Sequence, residues 1–420
     1  MTSELVIMTP HAVALAADSA VTIDHGKIYN GINKLFMLSN NPSVGIMFYN
    51  NVSFLNIPFE TIIKEFRKSI NDSYKKSFFK KFFKNNFRNL DKVSEFQNAF
   101  IEYLKLLIPK SDFKLSFNTQ LNIFINDVVL EILNDASLCN KIVNFKVPEE
   151  KLLAKIFDSL DEEYNAQCFD LAKKVCNFVC SDNDIKDTFI KHFVNYTLWE
   201  MFAKNYTGIV FAGFDTDSLF PASFSFKICY LYDEKYVLCD VWYDEISFRS
   251  EPAIINMFAQ DDVISSFFKS IDPNTKEDIL DKFIEINNEQ FDRLLNSINN
   301  NPNIDDESKK AICDEINMLD YESFRINFSN KISELEKAHL DKILQYISVL
   351  PFSELSNLCE SLIKITSLKR KVGSHLESVG GDVDVAIITK GDGFIWTKRK
   401  HYFDGDLNYQ FFEKKEMEKL

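Results

Sequence analysis

Two kinds of apolar spacing alternate along this chain. Short unbroken runs come first. Leu5-Val6-Ile7-Met8 and Ala12-Val13-Ala14-Leu15-Ala16-Ala17 flank Thr9-Pro10-His11, a pattern that predicts a buried β-hairpin. Lys34-Leu35-Phe36-Met37-Leu38 and Val44-Gly45-Ile46-Met47-Phe48-Tyr49 predict a second hairpin over Asn40-Asn41-Pro42. Strand patterns return at Gly208–Gly213, Ser223–Leu231, Tyr236–Trp242 and Val383–Ile388. The last of these turns through Gly391-Asp392-Gly393 into Phe394-Ile395-Trp396. Elsewhere the apolar positions recur every three or four residues. Leu355, Leu358, Cys359, Leu362, Ile363 and Thr366 form one such stripe, and Ile279, Phe283, Ile284, Phe291 and Leu294 another. This spacing predicts helices over most of 55–204 and 252–370.

Glycine placement divides the chain the same way. Three of the eleven glycines fall in 26–45, two in 208–213 and six in 373–405. Glycine marks tight turns and is disfavoured inside helices. A layered core of strands and helices, interrupted by two large helical insertions, is therefore expected.

Composition narrows the function classes. The net charge of −14 repels phosphate backbones, so no general nucleic-acid binding is expected. The 40 phenylalanines are read as a compositional bias rather than a functional signal. The eight cysteines are scattered; Cys176 and Cys180 have no second pair to complete a zinc pattern, so reduced thiols and no metal are expected. Met1-Thr2-Ser3-Glu4 lacks a basic region ahead of an apolar stretch, and no apolar run reaches about 18 residues. Neither a signal peptide nor a transmembrane segment is expected, and the expected location is the cytoplasm. Two basic runs stand out. Lys75-Lys76-Ser77-Phe78-Phe79-Lys80-Lys81-Phe82-Phe83-Lys84 reads as a helix with its Phe face packed inside the first insertion and its lysines solvated; docking on an anionic surface is the alternative. Lys398-Arg399-Lys400-His401 reads as a basic strand edge, with capture of an acidic partner segment as the alternative.

The candidate chemistry lies near the N-terminus. A threonine at a free N-terminus supplies a nucleophile in its Oγ and a base in its own α-amine, whose ordinary pKa of about 8 lies close to working pH. A lysine beside it lowers the amine pKa, and an aspartate keeps that lysine charged and in place. Thr2 is small enough at position 2 for Met1 to be removed by a general aminopeptidase. Asp18 follows Thr2 by sixteen positions, and Lys34 follows Asp18 by sixteen more. Each lies in or beside a predicted strand, so hairpin pairing can bring all three onto one face.

Ala16-Ala17-Asp18 and Lys34-Leu35-Phe36 at these offsets resemble the start of proteasome β-subunits and of the bacterial protease HslV. Gly208-Ile209-Val210-Phe211-Ala212-Gly213-Phe214-Asp215 resembles the central glycine-containing strand of that family. Gly380-Gly381-Asp382-Val383-Asp384-Val385 resembles its C-terminal strand motif. The resemblance covers about 1–60, 205–262 and 350–400. It implies an α+β fold, the αββα layered sandwich of N-terminal-nucleophile (Ntn) hydrolases. The domain expectation is a discontinuous core of 1–60, 205–262 and 350–405, helical insertions at 61–204, whose ends are core helices, and at 263–349, and a charged tail at 406–420. It further implies a threonine-type hydrolase of amide, chiefly peptide, bonds that requires no cofactor. In that reading Thr2 is nucleophile and base, Lys34 tunes the amine and Asp18 holds Lys34. The backbone N–H of Asn50 takes the place of the family's oxyanion-binding glycine. A peptide or protein substrate and a homo-oligomer or partner subunit complete the expectation.

The sequence also departs from the family. The Asp and Ser that hold the N-terminal amine fall at Leu376 and Val379, with Glu377 and Ser378 one residue off. A further supporting serine is Ser247 or Ser250. These departures keep two other readings open: a silent proteasome-fold scaffold or sensor subunit, and an amidase acting on a small molecule.

Overall fold

The computed structural model describes residues 3–23, 27–70, 90–108, 121, 124, 142, 144–160, 162–179, 183–232, 235–249, 251–259, 262–317, 321–372, 380–401 and 403–410. The basic run at 75–84 lies outside these residues. The chain divides into two compact units, Met1–Ala259 with Pro351–Leu420, and Gln260–Leu350.

In the first unit, β1 (Ser3–Met8) and β2 (Ala12–Ala17) form the expected hairpin. Thr9 closes it by accepting from the Ala12 amide and donating to the Ala12 carbonyl. Two short pairs follow in the chain, β3 (Val21–Ile23) with β4 (Lys27–Tyr29), and β7 (Ser53–Phe54) with β8 (Ile57–Pro58). Between them stand β5 (Leu35–Asn40) and β6 (Ser43–Asn50), joined through a cis Asn41–Pro42 bond. Later come β9 (Thr207–Phe214), β10 (Pro221–Tyr232), β11 (Lys235–Glu245), β12 (Ile254–Ala259), β13 (Asp384–Thr389) and β14 (Gly393–Lys398). They assemble into two five-stranded sheets with spatial orders β12-β1-β2-β13-β14 and β11-β10-β9-β6-β5, every pairing antiparallel.

The two sheets pack face to face. Strand alternation sends Val6, Met8, Val13, Leu15, Ala386 and Ile388 of one sheet against Met47, Tyr49, Val210 and Ala212 of the other. The opposite face of the second sheet carries Ile46, Phe48, Ile209, Phe211 and Phe226. It is covered by α1 (Phe59–Ile70) and α2 (Val93–Leu107) through Phe59, Phe66, Phe96 and Phe100. The helices α3 (Glu150–Ser159), α4 (Glu162–Val179) and α5 (Asn183–Met201) add Leu152, Ile156, Leu171 and Phe193 to the inter-sheet core.

The second unit holds α6 (Asp262–Lys269), α7 (Pro273–Asn299), α8 (Asp306–Asn317) and α9 (Tyr321–Ile347). Here α7 and α9 meet through a Phe283–Phe328 stack at 3.9 Å and a Lys276–Glu336 ion pair at 2.8 Å. Back in the first unit, α10 (Phe352–Val372) lies on β1, β2 and β13 and buries Leu355, Cys359, Leu362, Ile363 and Thr366 as the spacing predicts. The layers therefore run helix, sheet, sheet, helix, the expected αββα order.

Two expectations change. Ile254–Ala259 falls in the stretch assigned to helix, but it is an edge strand paired with β1. Its buried Asn256 reaches across to Ser223 Oγ at 3.1 Å and Asp244 Oδ2 at 2.9 Å, a pairing that ties the two sheets. The stripe of α7 is also displaced: Ile279 and Leu294 are exposed, whereas Leu280 is buried.

One glycine fixes the sheet separation. A Cβ on Gly45 of β6 would lie 2.4 Å from Leu15 Cδ1 and 3.1 Å from Phe394. Gly45→Ala is expected to destabilise by about 1–3 kcal/mol through overpacking. Leu15→Ala is expected to cost about 2–5 kcal/mol. Because Leu15 is the clashing neighbour, the double variant is expected to lose less than the sum. Strict additivity in urea unfolding would show that Gly45 does not set this contact.

Candidate active site

Asp18 stands immediately after β2 and Lys34 immediately before β5, so the two residues belong to different sheets. The sandwich brings them together. Lys34 Nζ donates to Asp18 Oδ1 at 2.6 Å and to the Ala20 carbonyl at 2.6 Å, and neither side chain of the pair has exposed surface. The Asp18 carboxylate has two further donors. The Ser3 amide reaches Oδ1 at 3.2 Å, and the Gly380 amide reaches Oδ2 at 3.1 Å. The Ser3 amide is the nitrogen of the Thr2–Ser3 peptide bond, so the N-terminal strand is anchored to the carboxylate that also holds Lys34.

The Gly380-Gly381 turn supports this arrangement from the other side. Ser19 donates its amide to the Gly380 carbonyl at 3.3 Å, and the amides of Gly31 and Ile32 both donate to the Ser19 carbonyl at 3.2 Å. Gly381 has φ +72°, and a Cβ there would lie 2.3 Å from Ser19 Oγ. Only glycine fits both the left-handed backbone and the close approach.

A second buried ion pair adjoins the first. Asp384 of β13 stands opposite Ala17 in register, and it accepts from both the Lys400 ammonium and the Lys400 amide, the latter at 2.8 Å. The run Lys398-Arg399-Lys400-His401 begins on the edge strand β14, as its basic pattern predicts, and Lys400 turns its ammonium inward. The Lys400 side chain is 7% exposed, Lys398 pairs with Glu360, and the Arg399 guanidinium lies 4.6 Å from the Trp396 ring centroid. The basic side chains are used within the fold.

Glu4 of β1 is the unexpected member of the cluster. It is 0% exposed, and neither carboxyl oxygen has a hydrogen-bond partner among the described residues. Burial pushes its pKa well above the usual carboxylate range; the Lys34 charge opposes that rise and the Asp18 charge adds to it. Burial pulls Lys34 below the ordinary lysine value, against the raising influence of Asp18 and Glu4. Tyr49 on the facing sheet is likewise pushed up by burial, with Tyr206 and Glu4 adding to it. A charged residue inside the apolar run Glu4–Met8 was the sequence signal for Glu4, and hydrophobic periodicity alone passes over it.

The remaining predicted residues divide plainly. Asn50 ends β6 with φ 69°, the left-handed conformation expected of a glycine substitute, and its Nδ2 donates to the carbonyls of Lys204 at 3.1 Å and Tyr206 at 2.8 Å. The hydroxyl of Ser247 accepts from the Arg249 amide at 3.3 Å in the turn after β11. Thr2, Ser250, Glu377 and Ser378 lie outside the described residues. Asp18 and Lys34 are thus the two predicted side chains in direct contact among those described.

Two outcomes are expected. Asp18→Asn leaves the buried Lys34 ammonium without its counter-charge and should destabilise by about 3–5 kcal/mol, whereas Asp18→Asn with Lys34→Met should recover much of that loss. Equal stability of Asp18→Asn and the parent chain in urea would contradict the pair's role. For the chain that retains Met1, Glu4 binds its proton more tightly when folded than when unfolded. Its stabilising effect is full below the unfolded value of about 4.3 and is lost as pH rises toward the folded value. The stability of the parent relative to Glu4→Gln should therefore fall by up to about 1.4 kcal/mol per pH unit above pH 5. A flat difference between pH 5 and 7 would remove the case for a neutral Glu4.

No family model matches the chain, and no curated protein matches it. Among solved structures, it is similar to Anbu (ancestral beta-subunit) from Yersinia bercovieri at 8% identity, with 98% of this chain and 94% of that chain covered and a TM-score of 0.32. It is also similar to Anbu from Hyphomicrobium sp. strain MC1 at 8% identity, with 100% and 97% covered and a TM-score of 0.28. The layered sandwich rests on this chain's own sheets and helices.

Proposed function

We propose that this chain is a threonine-type Ntn hydrolase of amide bonds, peptides foremost, with Thr2 as its N-terminal residue after Met1 removal. The observation that carries this reading is the buried Asp18–Lys34 pair at 2.6 Å, with the Ser3 amide on the same Asp18 oxygen. That pairing ties the residue next to Thr2 to the lysine the chemistry needs. A solvated aspartate and lysine with no role would not be expected at 0% exposure.

Each group then has a task. Thr2 Oγ attacks the substrate carbonyl carbon while the Thr2 α-amine takes the hydroxyl proton. The Lys34 charge lowers the amine pKa so that enough amine is free to act as base. Asp18 holds Lys34 through a short ionic hydrogen bond and holds β1 through the Ser3 amide. The carbonyl oxygen becomes an oxyanion, and the Asn50 backbone N–H is the donor assigned to it. Collapse expels the amine product, which takes the proton from the α-amine and leaves an ester on Thr2. Water, deprotonated by the same α-amine, then hydrolyses that ester. No step needs a metal or an organic cofactor.

One observation favours a second reading, a silent scaffold or sensor subunit with this fold. Counted back from Gly380-Gly381 in the sequence, Leu376 and Val379 replace the Asp and Ser that support the amine in the resembled family.

Intact mass before and after incubation with a peptide epoxyketone, which reacts with both hydroxyl and amine of an N-terminal threonine, separates the two. The expected result is loss of Met1 and a single adduct, absent in Thr2→Ala. Lys34→Met should still lose Met1 but form the adduct about 10²-fold more slowly or worse. Loss of Met1 without an adduct would give the fold to the scaffold reading. Retained Met1 would end the Thr2 mechanism.

A further inference from the structure

The buried charges around Asp18 do not balance if every carboxyl is ionised. Two cations, Lys34 and Lys400, face three carboxyls, Asp18, Asp384 and Glu4. Asp18 and Asp384 each hold one lysine, so no cation among the described residues is left for Glu4. The side chains facing Glu4 from other elements offer no substitute. Lys34 is already engaged by Asp18 and Ala20, and Tyr49 of β6 is an uncharged phenol. The β1 partners beside Glu4 are Ala17 and Phe258.

Several unsatisfied groups also lie around this site. Ser3 Oγ, Ser19 Oγ and both Glu4 oxygens are buried without a hydrogen-bond partner among the described residues, and these residues flank the Asp18 anchor in sequence or in register. Buried polar atoms are normally paired, so a concentration of unpaired ones indicates a missing polar group. The chain itself can supply one. Removing Met1 by hydrolysis of the Met1–Thr2 bond leaves an α-amine at residue 2. That nitrogen is joined to the Glu4 Cα by a stretch of chain that spans about 8.5 Å at most. Opposite charges this close attract strongly where water is excluded.

We propose that Glu4 is the counter-ion of the α-ammonium created by Met1 removal, so that N-terminal processing converts it from a neutral acid to a carboxylate. The inference rests on the reading of Thr2 as the mature N-terminus. Before processing, Asp18, Lys34 and a protonated Glu4 sum to zero charge. After processing, the Glu4 carboxyl proton passes to the α-amine, and two anions face two cations. Glu4 thereby acts as a positioning residue: it holds the amine near Asp18 and Lys34 in a chain whose sequence has Leu376 and Val379 in place of the resembled family's Asp and Ser. It also raises the pKa of that amine, against the influence of Lys34, and so helps to set the pH at which the base is free.

The test compares two forms of the full chain, one beginning at Thr2 after release from an N-terminal fusion and one still carrying Met1. Infrared difference spectra between each form and its Glu4→Gln counterpart report the Glu4 carboxyl at pH 7. A protonated-carboxyl band is expected in the Met1 form and a carboxylate band in the Thr2 form. Carbon NMR of threonine-labelled chain follows the Thr2 amine, identified by its absence from the Met1 form. Glu4→Gln is expected to lower the amine pKa by about 1 unit or more. The same band in both forms, or an unmoved amine pKa, would overturn the proposal. Should Glu4→Gln fail to fold, Glu4-directed isotope editing of the two parent forms decides by the band alone. Because the Thr2 form is made directly, neither readout requires amide hydrolysis. A missing epoxyketone adduct would count against the hydrolase reading without moving these measurements.

Discussion

The ion pair between Asp18 and Lys34 is the constraint around which this end of the molecule is organised. Two fully buried charges are unfavourable unless each finds enough partners to replace water. Asp18 finds three donors, from Lys34, Ser3 and Gly380, and Lys34 finds Asp18 and the Ala20 carbonyl. Those partners come from β1, the segment after β2, the approach to β5 and the turn before β13. The same pair that satisfies the charges therefore fixes where four separate chain segments meet. It also places the peptide nitrogen that follows Thr2 against a carboxylate.

The sandwich geometry makes that meeting possible. Gly45 lets the second sheet approach Leu15 closely, and Asn256 spans from the edge of one sheet to Ser223 and Asp244 of the other. Helices α1 and α2 on one outer face and α10 on the other complete the burial, and the Asp18–Lys34 pair is left with no exposed side-chain surface. In such surroundings protonation states are set by neighbours rather than by solvent. Lys34 is pulled down and Glu4 pushed up by the same loss of water, and the two groups influence each other. A basic nitrogen introduced there meets a site already tuned to respond to its charge.

Much of the sandwich was legible in local patterns. The apolar runs at Leu5–Met8 and Val44–Tyr49 and the stripe from Leu355 to Thr366 became the strands and helix they predict, because fully buried strands and one-faced helices leave strong periodic traces. Ile254–Ala259 was misread because a short apolar run carries no period that separates strand from helix; pairing with β1 decided it. Ile279 and Leu294 were misread because the face a helix buries depends on where its neighbour lies. The basic run at the end of β14 was legible as a strand edge, but its partners Asp384 and Glu360 were not, since only the fold brings them to it.

For the site, the sequence by itself determined the chemistry on offer: a threonine at position 2, and an aspartate and a lysine at equal spacings beside predicted strands. The glycines at 380 and 381 were equally visible, and their turn is where the backbone must come close. Tertiary structure decided what sequence spacing cannot express. It joined Asp18 to Lys34 across two sheets, used Gly380 to hold the carboxylate, and buried Glu4 beside the pair without a hydrogen-bond partner among the described residues. Residue type is written in the chain, but partnership and exclusion of water depend on which segments meet, and those two conditions set charge and reactivity.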